Sequence, residues 1–102
     1  MTASAEMSRV FDVPVEELPA AVDEALRDIG AKSIRWTRRQ VTASMRWSLW
    51  SYGERLTVEV DRLGEVWIRS ECAMPFQILD WGKNYRNCKA LIKAIARRLE
   101  LG

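Results

Sequence analysis

Three consecutive runs of period two constrain this chain more than any other feature. Val41, Ala43, Met45, Trp47 and Leu49 alternate with Gln40, Thr42, Ser44, Arg46, Ser48 and Trp50. Leu56, Val58 and Val60 alternate with Arg55, Thr57, Glu59 and Asp61. Val66, Ile68, Ser70 and Cys72 alternate with Glu65, Trp67, Arg69 and Glu71. Successive side chains of a strand point to opposite faces, so each run predicts a strand with one apolar and one polar side. The joins are short, Tyr52-Gly53-Glu54 and Leu63-Gly64. Strands joined this way pair antiparallel. Their sheet has one apolar face, and something else in the chain must cover it.

The cover is read from helical spacing on either side. Val15, Leu18, Val22, Ala25, Leu26 and Ile29 recur at that spacing after Pro14, with Glu16 and Glu17 near the positive end and Gly30 as the stop. Pro19 either sits in the first turn or splits that turn off. A second helix runs from about Gly82 to Leu99, capped by Asp80, with Tyr85, Cys88, Leu91, Ile92, Ile95 and Leu99 as its apolar stripe. Two further strands are expected. Met7, Arg9, Phe11 and Val13 alternate in one, and Lys32–Thr37 carries Ile34 and Trp36 on one side. The expected fold is α+β in the order β-α-β-β-β-β-α. It is a two-layer sandwich, an antiparallel sheet of four or five strands with two helices on one face. A chain of 102 residues makes one domain, 7–102, after a frayed 1–6. The core is expected at Met45, Trp47, Leu56, Val58, Val60, Val66, Ile68, Leu91, Ile92 and Ile95.

Composition excludes several function classes. An apolar share of 48% excludes disorder throughout. No apolar run approaches the roughly 18–20 residues of a membrane span. Histidine is absent, which removes imidazole general bases and serine triads. Cys72 and Cys88 form no Cys-x-x-Cys, so no metal site and no cofactor is expected. Residues 1–8 hold no apolar core of a signal peptide, so a cytoplasmic protein with reduced thiols is expected.

Three stretches carry a resemblance: RWSLWSYGERLTVEV (46–60), VWIRSECAMPFQILDWGKN (66–84) and Asn87. They resemble a group of small bacterial proteins of unknown function with a Trp-Ser-x-x-Ser-x-Gly-Glu strand turn and an Asp-Trp-Gly-Lys-Asn-x-x-Asn helix start. The architecture is similar to small helix-grip or TATA-binding-protein-like domains. The resemblance implies the fold and assigns no catalytic residue.

Four constellations are candidates for function. Gly82, Lys83, Asn84 and Asn87 surround a helix N-terminus, where free N–H groups and the dipole suit an anion; the alternative is a cap by Asp80 with Trp81 in the core. Trp50 and Trp67 fall on the polar side of their strands beside Arg46 and Arg69, as at interfaces and stacking platforms. The alternative is a cross-strand pair that supports the sheet. Glu59 and Glu71 on that side read as an ion-pair lattice with Arg46, Arg55 and Arg69. Arg86, Lys89, Lys93 and Arg97 share one side of the last helix. Residues 1–34 hold three basic and seven acidic side chains, a net −4, against thirteen and seven, a net +6, in 35–102. The leading expectation is a non-enzymatic binding or assembly module that uses the open sheet face, as a homo-oligomer or with a protein partner. The alternatives are an anion or nucleic-acid binder through the basic helix, and a small apolar-ligand carrier lined by Met45, Trp47 and Phe76.

Overall fold

The computed structural model describes residues 3–45, 53–73 and 82–101. Strands β1 (Ser4–Val10), β2 (Lys32–Thr37), β3 (Gln40–Met45), β4 (Glu54–Val60) and β5 (Glu65–Cys72) form one antiparallel sheet in the order β1-β5-β4-β3-β2. Helix α1 (Leu18–Asp28) joins the two edge strands, so the chain crosses the width of the sheet between β1 and β2. Helix α2 (Lys83–Leu101) packs on β1 and β5, while α1 packs on α2 and β2. This is the expected two-layer α+β sandwich, with both helices on one face.

The described apolar positions of the alternating runs turn inward. Val41, Leu56, Val58, Val66 and Ile68 are fully buried, as are Leu18, Val22, Ala25 and Leu26 of α1 and Leu91 and Ile95 of α2. Each large side chain removed from water this way contributes about 1.5–3 kcal/mol. Met45, Val60 and Ile92 complete the expected core; Trp47 lies outside the described residues. No described helix is long and apolar enough to cross a membrane.

Two local expectations are corrected, and the alternatives left open at Pro19 are decided. The first strand starts at Ser4 rather than Met7 and ends at Val10. Ala3 is the reason: its carbonyl accepts the Cys72 N–H at 2.9 Å and so extends the ladder with β5 toward the N-terminus. Phe11 is buried just past the strand. The first helix is divided, with a 3-10 turn at Val15–Glu17 before α1 and Pro19 in the first turn of α1, where its missing N–H costs nothing. Tyr85 does not join the apolar stripe of α2 and is 54% exposed.

The β4–β5 turn locks onto the end of β1. Gly64 adopts φ +91, and a Cβ there would meet the Phe11 carbonyl oxygen at 3.0 Å. Only glycine satisfies both conditions at once. The Phe11 N–H donates to the Gly64 carbonyl at 3.0 Å, and the Asp61 carboxylate accepts the N–H groups of Leu63 and Glu65. Gly30, φ +87, ends α1 in the left-handed conformation usual after a helix.

The helical layer is also tied by charge. Arg98 of α2 donates to both oxygens of Asp28 at 2.6 and 2.7 Å and lies 3.1 Å from Glu24. Across the layers, the Trp36 indole N–H donates to Asp23 at 2.9 Å. That bond, and after it Arg27, holds the Asp23 carboxyl below its ordinary value; Arg98 does the same for Asp28.

Val58→Ala and Ile95→Ala are each expected to cost about 2–4 kcal/mol through the cavity left behind, read from urea midpoints. Because the folded Asp23 pKa is lowered, its contribution is present above the unfolded carboxylate value near about 4 and is lost as pH falls through the folded value. Trp36→Phe is therefore expected to destabilise the protein at neutral pH, with the gap from wild type narrowing in acid. A gap that stays constant from pH 7 to pH 3 would contradict this.

Candidate functional site

The strand register sorts the outward side chains into rows. One row reads Ser8, Trp67, Glu59, Gln40; the next Glu6, Arg69, Thr57, Thr42, Arg35; the next Ser4, Glu71, Arg55, Ser44. These rows form the face that neither helix covers. Trp67 lies on it, partly exposed, with its indole N–H donating to Glu6 at 3.0 Å. Arg69 lies 3.5 Å from the other Glu6 oxygen and 3.7 Å from Glu71. The ring is thus held by a carboxylate that an arginine also holds. Trp50 and Arg46, expected beside it, lie outside the described residues. Glu59 and Glu71 are not a pair, because Glu59 shares its row with Trp67 and Glu71 shares its row with Arg55. Of the expected ion-pair lattice, the described contacts join Arg69 to Glu71 and also to Glu6, which lies outside that lattice.

The opposite face holds a second cluster. Glu54 at the start of β4, Ser70 of β5, and Asn84 and Asn87 of α2 are buried to 2% exposure or less. Ser70 Oγ donates to Asn84 Oδ1 at 2.7 Å. Asn87 Nδ2 donates to Ser70 Oγ at 3.0 Å and to Glu54 Oε1 at 3.1 Å. Asn84 Nδ2 donates to the Ala3 carbonyl at 3.0 Å and lies 3.5 Å from Cys72 Sγ. Cys88 is fully buried next to Ala5, and burial pushes its thiol up. Two residues expected at an anion site are corrected here. Asn84 and Asn87 turn inward and are engaged by the sheet, while Gly82 and Lys83 remain at the outer start of the helix. The signal was in the phase of the helix, since Asn84 and Asn87 fall in register with Cys88, Leu91 and Ile95 rather than with Arg86 and Lys93. Glu54 was read as part of a turn, yet it alternates in phase with Leu56, Val58 and Val60.

Two surface features complete the inventory. Arg86, Lys89, Lys93 and Arg97 are exposed along the outer side of α2, with Lys89 Nζ 5.3 Å from the Tyr85 ring centroid. A groove of about 430 Å³ lies at the β2–β4 end of the sheet, lined by Ser33, Arg35, Thr42, Ser44, Glu54 and Arg55 among others. Met45 is packed in the core cluster; Trp47 and Phe76, the other expected walls of an apolar pocket, lie outside the described residues.

Asn87→Ala removes the donor to a buried carboxylate and is expected to cost about 1–3 kcal/mol in a urea titration. Glu54→Gln keeps an acceptor for the Asn87 amide and is expected to cost less than Asn87→Ala. The reverse order would show that the charge of Glu54, rather than the bond, holds the cluster together.

No protein-family model matches the chain, and no curated protein matches it.

Proposed function

We propose that this chain is a non-enzymatic binding or assembly module that works through the open face of its sheet, with a second copy as the first partner. The observation that carries the reading is Trp67. A large aromatic ring stands on the polar side of β5, partly exposed, and its N–H is held by Glu6. A ring already fixed in place loses little freedom when a partner covers it. Aromatics of this kind dominate interface energetics when ringed by polar groups, and Glu6, Arg69 and Glu59 form that ring around Trp67. The non-enzymatic part rests on chemistry. The sequence has no histidine to activate a hydroxyl group, and both thiols, Cys72 and Cys88, are buried.

Covering one such ring is worth about 1.5–3 kcal/mol, or roughly a tenfold to hundredfold change in association. Trp67→Thr is expected to keep the far-ultraviolet circular dichroism spectrum and to lose no more than about 1 kcal/mol of stability. It is expected to shift a sedimentation concentration series toward monomer by that factor. A wild-type protein that stays monomeric across the series, with Trp67→Thr acting only on stability, would overturn the reading.

A further inference from the structure

Two adjacent outward rows of β2, β3 and β4 place two arginines at a groove. Arg35 pairs in register with Thr42, and Arg55 with Ser44, so the two guanidinium groups rise from strands on either side of β3. They stand in adjacent rows, so two strand spacings across and two residues along separate their backbones by about 12 Å. Between them lies the hollow of about 430 Å³, floored by Thr42 and Ser44. At the β2 wall the ladder is interrupted by a bulge between Lys32 and Arg35, with Ser33 at φ 55. Bulges of this kind re-aim the side chains that follow them.

The two arginines differ from others in the chain. Arg27, Arg69 and Arg98 each meet a carboxylate. The guanidinium groups of Arg35 and Arg55 make no hydrogen bond or ion pair with any described residue. The nearby acids are turned elsewhere. Glu71, the register neighbour of Arg55, lies 3.7 Å from Arg69, and Glu54 is buried with an oxygen accepting from Asn87. The groove therefore presents two guanidinium forks without a described carboxylate partner and a floor of hydroxyl groups, with Glu54, engaged by Asn87, also in its lining.

We propose that this groove binds the phosphate group of a small ligand, with Arg35 and Arg55 clamping it from opposite sides. The inference goes beyond the assembly reading and names a ligand class for one end of the same open face. A guanidinium matches an oxyanion through two parallel N–H bonds. Two forks converging from separate strands suit a tetrahedral dianion, which offers oxygens in both directions, better than a planar carboxylate. The volume lies at the small end of ligand sites and fits a small molecule better than a polymer.

The test is a ¹⁵N chemical-shift titration of the full chain with inorganic phosphate at constant ionic strength. Sodium acetate and a short single-stranded oligonucleotide form separate arms. Saturable shifts are expected in β2, β3 and β4 with phosphate and not with acetate. Arg35→Gln and Arg55→Gln are each expected to weaken phosphate binding about tenfold, and the double variant to abolish it. Arg55→Lys, which keeps the charge and loses the fork, is expected to fall between wild type and Arg55→Gln. Trp67→Thr is expected to leave phosphate affinity within about twofold, because it removes no charge from the groove. Phosphate binding that survives the double variant would overturn the proposal. So would oligonucleotide shifts confined to the outer side of α2 with no phosphate response in the sheet. If phosphate fails while Trp67-dependent association persists, the groove is refuted and the assembly reading stands. If phosphate binds and association fails, the groove stands and self-assembly is refuted.

Discussion

A sheet with a single apolar face has to be covered once, and in this chain two helices share the task. The strand order places β1 and β2 at opposite edges although they are the first two strands of the sequence. The segment between them must therefore span the sheet, and α1 makes that crossing against the apolar face. Helix α2 takes the remaining apolar surface, over β1 and β5. Once both helices lie there, neither covers the other face. The open face follows from the same alternation that builds the core.

The buried polar cluster is the exception inside that core. Burying Glu54, Ser70, Asn84 and Asn87 without partners would cost several kcal/mol. Here they satisfy one another, and among the described residues no buried side-chain nitrogen or oxygen lacks a hydrogen bond. The cluster joins β4, β5 and α2, and Asn84 also takes the carbonyl of Ala3 just ahead of β1. An apolar contact tolerates sliding, whereas these bonds require one rotation and one height of α2 over the sheet. Glu54, Asn84 and Asn87 all belong to the motif stretches that stand out in the sequence. Their placement gives that spacing a positioning role between sheet and helix.

The open face and the helical layer handle charge differently. In the helical layer Arg98 is matched to Asp28 and Glu24, which ties α2 to α1. On the open face Arg69 is matched at the β1–β5 end, where Trp67 stands, while Arg35 and Arg55 at the β2–β4 end meet no described carboxylate. A surface whose charges were all internally paired would offer little to a partner. This one keeps a preset aromatic at one end and unspent donors at the other.

The sequence by itself determined the alternating strands, both helices, the two-layer class and the described part of the expected core. Period-two and helical spacing are local properties, and burial follows them directly. It also held the inward phase of Glu54, Asn84 and Asn87, which residue type obscured, since glutamate and asparagine are ordinarily read as solvent-facing. Other features were decided only by the tertiary structure. The start of β1 at Ser4 depends on a bond from Cys72, far along the chain. The holding of Trp67 by Glu6 joins residues 61 positions apart. Whether a given arginine is paired or free depends on strand register and on which neighbour a carboxylate chooses. Those contacts arise between strands and layers, so no window along the chain contains them.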